Sequence, residues 1–555
     1  MTDRTTHTPA LKKRARKAPL GLSASAVLIA VICLLPMMAV AIAAFSGGTG
    51  TVSHLLSTVL PRYAGNTVLL VALVSMGTFC LGVGAAWLVT MTRFPGVRFF
   101  EIALVLPLAF PSYVLAYAYT YILDHPGIVQ STLRDVTGWG PRDYWFPEVR
   151  SLGGAAVMLI LVLYPYVYLL TRASFLQQSG TTFLAARALG SSAWAAFFRV
   201  SLPLARPAIA GGVLLAVMET IADFGTVAYF GVQTFATGIY TSWFAMADRG
   251  GAAQLALCLL SFALLLVMLE RIQRGRAKYY DSAKRSQDKT QLHLKGWGAG
   301  VAVVLCLIPV VLGCLLPIVV LFSMGLGSEQ DLLSARYLGF IQNSLTLAGI
   351  AAVVTVSAAV TVGFFQRLQP GQLSNGTAYA ARLGYAVPGG VIAVGLMVPF
   401  AAFDNALDAW MRSTFDISTG LLITGSIWLL ILAYLVRFMA AALGAYEGGQ
   451  AMVHANMDAA SRSLGQTPFG TLRRVHLPIL TPSLLTALLI VFVDVMKELP
   501  ATLIMRPFNF DTLAVQAYRL ASDERLEGAA VPSLVIVAMG LLPVILICRQ
   551  VGRGK

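Results

Sequence analysis

Ala185-Ala186-Arg187-Ala188-Leu189-Gly190 is followed by Val200-Ser201-Leu202-Pro203 and then by Pro207. Ala460-Ser461-Arg462-Ser463-Leu464-Gly465 repeats the pattern, with Val475-His476-Leu477-Pro478 and Pro482 behind it. The displacement is 275 positions throughout (190 to 465, 203 to 478, 207 to 482). Both copies are polar inserts between strongly apolar segments. One such insert per half, in fixed register, predicts a docking element: each half presents a short helix to a partner in the cytoplasm. Proline cannot continue a helix from the preceding turn, so the Leu-Pro pair is expected to end each short helix.

The 555-residue chain is 57% apolar and only 12% charged, with a mean hydropathy of +0.75. Soluble proteins carry about 25% charged residues. Too little polar side chain is present to cover a soluble surface, so a polytopic membrane protein is expected. The formal charge of +15 is concentrated at Arg4 to Lys17 and at Arg271 to Lys295. Eight of the nine lysines fall in segments assigned to the cytoplasm, which is the positive-inside bias; the ninth, Lys497, lies in an apolar stretch. A nucleic-acid groove interleaves base-reading and aromatic residues with basic ones. The basic clusters lack that pattern, so no nucleic-acid partner is expected. The six cysteines lie in apolar stretches without a CxxC, and the six histidines are scattered without an HExxH. No metal site is expected from them, and the cysteines read as small buried apolar residues.

Apolar stretches of spanning length, roughly 20 residues each, fall at about 20–45, 65–92, 99–123, 151–171, 205–230, 253–270, 297–325, 343–366, 382–403, 419–444, 480–505 and 529–549. The first could be a signal peptide, with Ala41-Ile42-Ala43 resembling a cleavage site. Its apolar run is too long for a signal core, and a retained helix is expected. With a basic N-terminus inside, an even number of spans returns the C-terminus to the cytoplasm, where Arg549, Arg553 and Lys555 agree.

Residues 1–275 and 296–555 read as duplicated halves joined by a basic cytoplasmic linker, 276–295. Asn66 recurs as Asn343 and Pro111 as Pro388, both at offset 277; Glu219 recurs as Asp494, Asp223 as Glu498 and Asp248 as Asp523, at offset 275. A direct repeat of an even number of helices keeps both halves in one orientation. A pseudo-two-fold axis along the membrane normal follows, with a pathway at the seam. The expected fold is all-α, about twelve transmembrane helices in two six-helix halves.

Trp194, Phe197 and Phe198 lie at helical spacing in the first insert, flanked by Arg187 and Arg199; the second carries Phe469 and Leu472 with Arg462, Arg473 and Arg474. An aromatic helix face with basic flanks can enter an apolar groove of a partner. A helix lying on lipid headgroups is the alternative, but lipid needs no matched register.

The two inserts, 184–203 and 459–478, resemble the cytoplasmic "EAA" loop of permeases in ATP-binding-cassette importers: Glu-Ala-Ala, three residues, Gly, nine residues, Ile-x-Leu-Pro. Gly190, Gly465, Pro203 and Pro478 match. Leu184 and Ala459 occupy the Glu position, Asp458 lies one residue earlier in the second copy, and Ser461 replaces the second Ala. The resemblance narrows to the fused, twelve-helix ferric-iron permeases on two stretches. One runs from Glu219-Thr220-Ile221-Ala222-Asp223-Phe224-Gly225 to Trp243-Phe244. The other includes Asp494-Val495-Met496-Lys497-Glu498-Leu499-Pro500 and Arg506-Pro507-Phe508-Asn509-Phe510-Asp511. It implies a type I importer permease fold in a bacterial inner membrane. It also implies coupling helices, carrying Ala185, Ala186, Arg187, Gly190, Leu202, Pro203, Ala460, Ser461, Arg462, Gly465, Leu477 and Pro478, that dock two copies of an ATPase subunit. A soluble binding protein would deliver the cargo, most simply ferric iron; permeases of the same branch carry thiamine, phosphonates or other small solutes.

Glu219 and Asp223 lie four apart, hence on one helix face; Asp494 and Glu498 repeat the spacing beside Lys497. Each charge at mid-bilayer costs about 2.5–3.5 kcal/mol, so four carboxylates facing lipid would cost on the order of 10 kcal/mol. They are expected to face the interior. An acidic gate suits a hard cation that prefers oxygen ligands. A polar network in which Lys497 pairs with a carboxylate is the plainer reading. A network that breaks and re-forms is a gate, so the two are compatible.

No GxxxxGK[ST] string is present, so ATP would be bound and hydrolysed by a separate subunit, and the chain is expected to bind no cofactor. No nucleophile–base constellation suggests an enzyme. The rival reading is a twelve-helix secondary transporter driven by an ion gradient, which explains the duplication and the charges but not two register-matched docking elements.

Overall fold

The computed structural model describes residues 18–46, 59–178, 186, 188–275, 292–328, 330 and 334–553. Eleven of its helices are long and apolar enough to cross a membrane, and a bent pair supplies up to a twelfth. In the first half these are α1 (Leu20–Ser46), α2 (Leu60–Met91), the pair α3 (Val97–Ala103) and α4 (Ser112–Leu123), α5 (Leu152–Gln177), α6 (Leu202–Ala222) and α7 (Arg249–Gly275). The second half repeats the order. A first span is made by α8 (Trp297–Val310) and α9 (Leu316–Leu326), then come α10 (Ala335–Leu368), α11 (Gln372–Leu383) with α12 (Gly389–Phe415), α13 (Ile427–Gln450), α14 (Leu477–Met496) and α15 (Leu526–Arg553).

Proline breaks the third span of each half at matching points. Pro111 caps α4 after a 3-10 turn at Leu106–Ala109, and Pro388 caps α12 after a 3-10 turn at Gly384–Ala386. The two legs in the first half meet at 92°. Carbonyls freed by such a break need partners inside protein or water. Tyr164 and Tyr168 on α5 supply two, their hydroxyls donating to Leu104 O at 2.8 Å and Glu101 O at 3.1 Å.

Glycines set the closest helix approaches. A Cβ at Gly82 would lie 2.6 Å from Val167 Cβ, and one at Gly212 would lie 2.7 Å from Val167 Cα. Small residues at both positions let α2 and α6 close on α5, the usual device where no hydrophobic drive separates helix from lipid.

The halves exchange their leading helices. α1 packs on α10, α11 and α12 of the second half, while α8 and α9 reach α2, α3 and α4 of the first. Of the linker, 276–291 lies outside the described residues. Its end is clipped to the first half, where Leu292–His293 pairs in parallel with Thr92–Arg93. Cys33, Cys306 and Cys314 are buried as expected, but Cys80 is exposed on the apolar surface of α2.

Candidate functional site

The helical face inferred for Glu219 and Asp223 does not persist. α6 ends at Ala222, and Asp223 has extended backbone beyond it. Asp223 instead accepts bonds from Thr226 N (3.1 Å), Val227 N (3.2 Å) and Ser112 Oγ (2.5 Å). From one residue ahead of the N-cap Phe224 it thereby satisfies first-turn amides of the short helix Gly225–Tyr229. Glu498 does the same after α14, accepting from Ala501 N at 3.2 Å and Thr502 N at 3.3 Å at the start of Pro500–Met505. The cause is local: an acidic side chain just before a helix start satisfies amides that otherwise lack partners, and this competes with continuing the preceding helix.

All five predicted pathway residues meet at one place. Glu219, Asp223, Asp494, Lys497 and Glu498 line a cavity of about 100 Å³ at the seam, together with Ser112, Tyr166 and Arg437. Lys497 Nζ pairs with Asp494 at 2.8 Å, the pairing expected for it. Arg437 was not anticipated. It lies 3.9 Å from Glu219 of the first half and 3.8 Å from Glu498 of the second. A lone guanidinium within the apolar run of α13 was the available signal, since a charge inside a span is functional by default. Four carboxylates thus face two cations, an excess of two negative charges when all are ionised.

The docking elements differ from expectation in one respect. Leu-Pro does not end a helix; the helix runs on through it. Trp194–Ala222 and Pro468–Met496 are each continuous spans. A π-turn (Phe197–Ser201 in the first, Leu472–His476 in the second) precedes each Leu-Pro, and the prolines take an opening position of α6 and α14. The widened turn seats the proline ring, so the span continues through it unbroken. The separate short helix lies earlier, at Ala455–Ser463 in the second copy. Left-handed glycines turn both copies, Gly190 at φ +86° and Gly465 at φ +77°.

Leu189, Trp194 and Phe198 are exposed, and the last two stack at 6.3 Å. Phe197 turns inward against Trp87 at 4.4 Å, so it is core rather than docking face. In the second copy Leu464 and Phe469 are exposed beside exposed Arg462, Arg473 and Arg474. Ala460, Gly190, Gly465 and Pro478 are exposed; Ala186, Leu202, Pro203 and Leu477 are half-buried. Ser461 is buried, its hydroxyl 2.9 Å from that of Thr471, and it supports the turn rather than the surface. Ala185 and Arg187 lie outside the described residues.

Asp458, the displaced acidic residue, is anchored. Arg367 Nε on α10 donates to it at 2.8 Å, His476 Nε2 lies 2.6 Å away, and Arg367 also donates to Val453 O at 2.7 Å. Burial pushes this carboxyl up, but the bonds from His476 and Arg367 outweigh it and hold it below the ordinary carboxylate value. A depressed folded-state value contributes stability that is full above the unfolded value and is lost as pH falls through the folded one. Protection of the 455–463 amides from hydrogen exchange, taken relative to the unfolded chain at the same pH, is therefore expected to hold from neutral to mildly acidic pH and to fall only on strong acidification. Asp458→Asn should lower it already at neutral pH; equal protection in the two proteins at neutral pH would show that the anchor contributes nothing.

The family described as binding-protein-dependent transport system inner membrane component matches residues 78–279, which contain the first of the two repeated polar inserts and the first pair of carboxylates. The Fe(3+)-transport system permease protein FbpB 2 of Haemophilus influenzae is 26% identical over 545 residues, covering 96% of this chain and 98% of that protein. The ferric transport system permease protein FbpB of Actinobacillus pleuropneumoniae is 24% identical, over 86% of this chain and 69% of its own length. The molybdenum transport system permease protein ModB of Escherichia coli is 30% identical over 211 residues, which is 35% of this chain but 87% of ModB.

Proposed function

This chain belongs to the family of binding-protein-dependent transport system inner membrane components, and from that premise we propose that it carries ferric iron across the membrane through the seam between its halves. It is a permease of an ATP-binding-cassette importer and depends on a separate ATPase and a soluble binding protein. Two ATPase copies dock on the elements around Gly190 and Gly465, with both termini on that same cytoplasmic side. ATP binding draws the docking elements together and rocks the halves, so that the cavity opens alternately to either side.

The observation that carries the cargo assignment is the carboxylate excess around Glu219, Asp223, Asp494 and Glu498 at the seam. Carboxylate oxygens suit a hard cation, and one iron-permease relative aligns over nearly the whole chain. Family membership removes the support for an ion-gradient-driven transporter. The test is uptake into proteoliposomes holding the permease and its ATPase, with ATP inside and loaded binding protein outside. Ferric uptake should require all of these. Uptake driven by a proton gradient alone would overturn the mechanism, and uptake of molybdate or a phosphonate in place of iron would overturn the cargo.

A further inference from the structure

The second half departs from the first where it meets Glu498. In the first half Ser112 donates its hydroxyl to Asp223 at 2.5 Å. At offset 277 the residue is Gly389, which has no hydroxyl to offer. A Cβ at Gly389 would lie 2.5 Å from Glu498 Oε1 and 3.1 Å from Arg437 Nη1. Glycine therefore vacates the space through which the guanidinium approaches the carboxylate. The first-half residues matching Arg437 at offsets 277 and 275 are Ile160 and Val162, both apolar. A second departure lies beside Glu219. Asp494 has Lys497 three residues on and pairs with it; Glu219 has Ala222 there. Among the described residues, the cation that comes within 4.0 Å of Glu219 is Arg437, from the opposite half.

We propose that Arg437 is a cross-half latch that holds the place of the cargo. With the cavity closed, its guanidinium sits between Glu219 and Glu498, where a passing hard cation meets carboxylate oxygens from both halves. Its contacts of 3.9 and 3.8 Å are longer than hydrogen bonds, so charge rather than directional bonding holds it, and it can be displaced. A trivalent cation attracts the same two carboxylates more strongly than a single guanidinium charge does. Arrival of cargo then frees Glu219 from Arg437 and lets the seam part. Return of the guanidinium weakens the hold on the cation, as passage through any pore requires binding loose enough to leave.

This inference rests on a cationic cargo, but the latch can be tested with no cargo present. The measurement is ATP hydrolysis by the reconstituted permease–ATPase complex without binding protein or metal. Arg437→Gln and Glu219→Gln should each raise it, by about fivefold. The double variant should rise no further, because the two residues share one contact, and Arg437→Lys should keep most of the restraint. Glu219→Gln leaves Arg437 beside Glu498 and so guards against a mere folding defect; its thermal unfolding should match that of the unaltered protein. In ferric uptake, Arg437→Gln should lower both the half-saturating concentration and the maximal rate. Unaltered cargo-free hydrolysis in folded Glu219→Gln, or additive effects in the double variant, would overturn the latch. Raised hydrolysis in the variants of a complex whose unaltered form moves no iron would reject iron and keep the latch.

Discussion

Phe469→Asp and Trp194→Asp each reduce ATP-driven uptake at least about tenfold while leaving the amount of folded permease unchanged, and the pair together abolishes it. Large aromatics at the centre of an interface commonly contribute about 2 kcal/mol or more each, which corresponds to roughly thirtyfold in affinity. Phe469 and Trp194 are 71% and 67% exposed, so an acidic replacement disturbs no core packing. Phe469 stands on the turn between Gly465 and the π-turn, within a set of exposed arginines. An aspartate there also offers Arg473 and Arg474 an internal partner, which lowers the basic charge shown to an ATPase. The measurement is co-purification of the ATPase from detergent extracts, followed by uptake in proteoliposomes. Phe197→Asp is the contrasting variant. Phe197 is buried against Trp87 and Phe175, so this change should lower the yield of folded protein. Full ATPase binding by both exposed-site variants would show that these surfaces face lipid or water only.

The broad plan is legible in the sequence because membrane helices announce themselves by length and composition. The twelve apolar stretches match eleven spanning helices and one bent pair, and Pro111 and Pro388 mark the breaks in the third spans. A residue that does two things at once is not legible in the same way. Asp223 and Glu498 count as helix-face charges by spacing, yet they cap the next helix, because a carboxylate beside free amides gains more from them than from continuing a face. Pro203 and Pro478 count as terminators, yet the helices run through them, because a π-turn upstream accommodates the ring. Ser461 sits in a docking motif but points inward to Thr471. Arg437 escaped because it falls outside both repeated motifs: duplication points to what the halves share, and this residue is where they differ.

Glu498→Ala should therefore be the most damaging single change in the cavity, and its damage should appear in folding before transport. The Glu498 side chain is 3% exposed and that of Arg437 is 14% exposed. Removing one partner of a buried ion pair costs about 3–5 kcal/mol when the remaining charge is left uncompensated; Glu219, 3.9 Å from the same guanidinium, holds the cost here toward the lower end of that range. The lost cap on Pro500–Met505 adds about 1 kcal/mol. Asp223→Ala should cost less: it loses the bonds to Thr226, Val227 and Ser112, but takes no ion-pair partner from a buried cation. Glu219→Ala should cost least, since a side chain 33% exposed leaves water within reach of Arg437, which keeps Glu498. Its effect should fall on transport. Thermal unfolding of the purified proteins, read in one detergent, should thus rank Glu498→Ala below Asp223→Ala and Asp223→Ala below Glu219→Ala. Glu498→Gln should lie above Glu498→Ala, because the amide oxygen still accepts from Ala501 and Thr502. A Glu498→Ala protein as stable as Glu219→Ala would mean that water already solvates Arg437 fully and that the cavity is a wet vestibule rather than a closed seam.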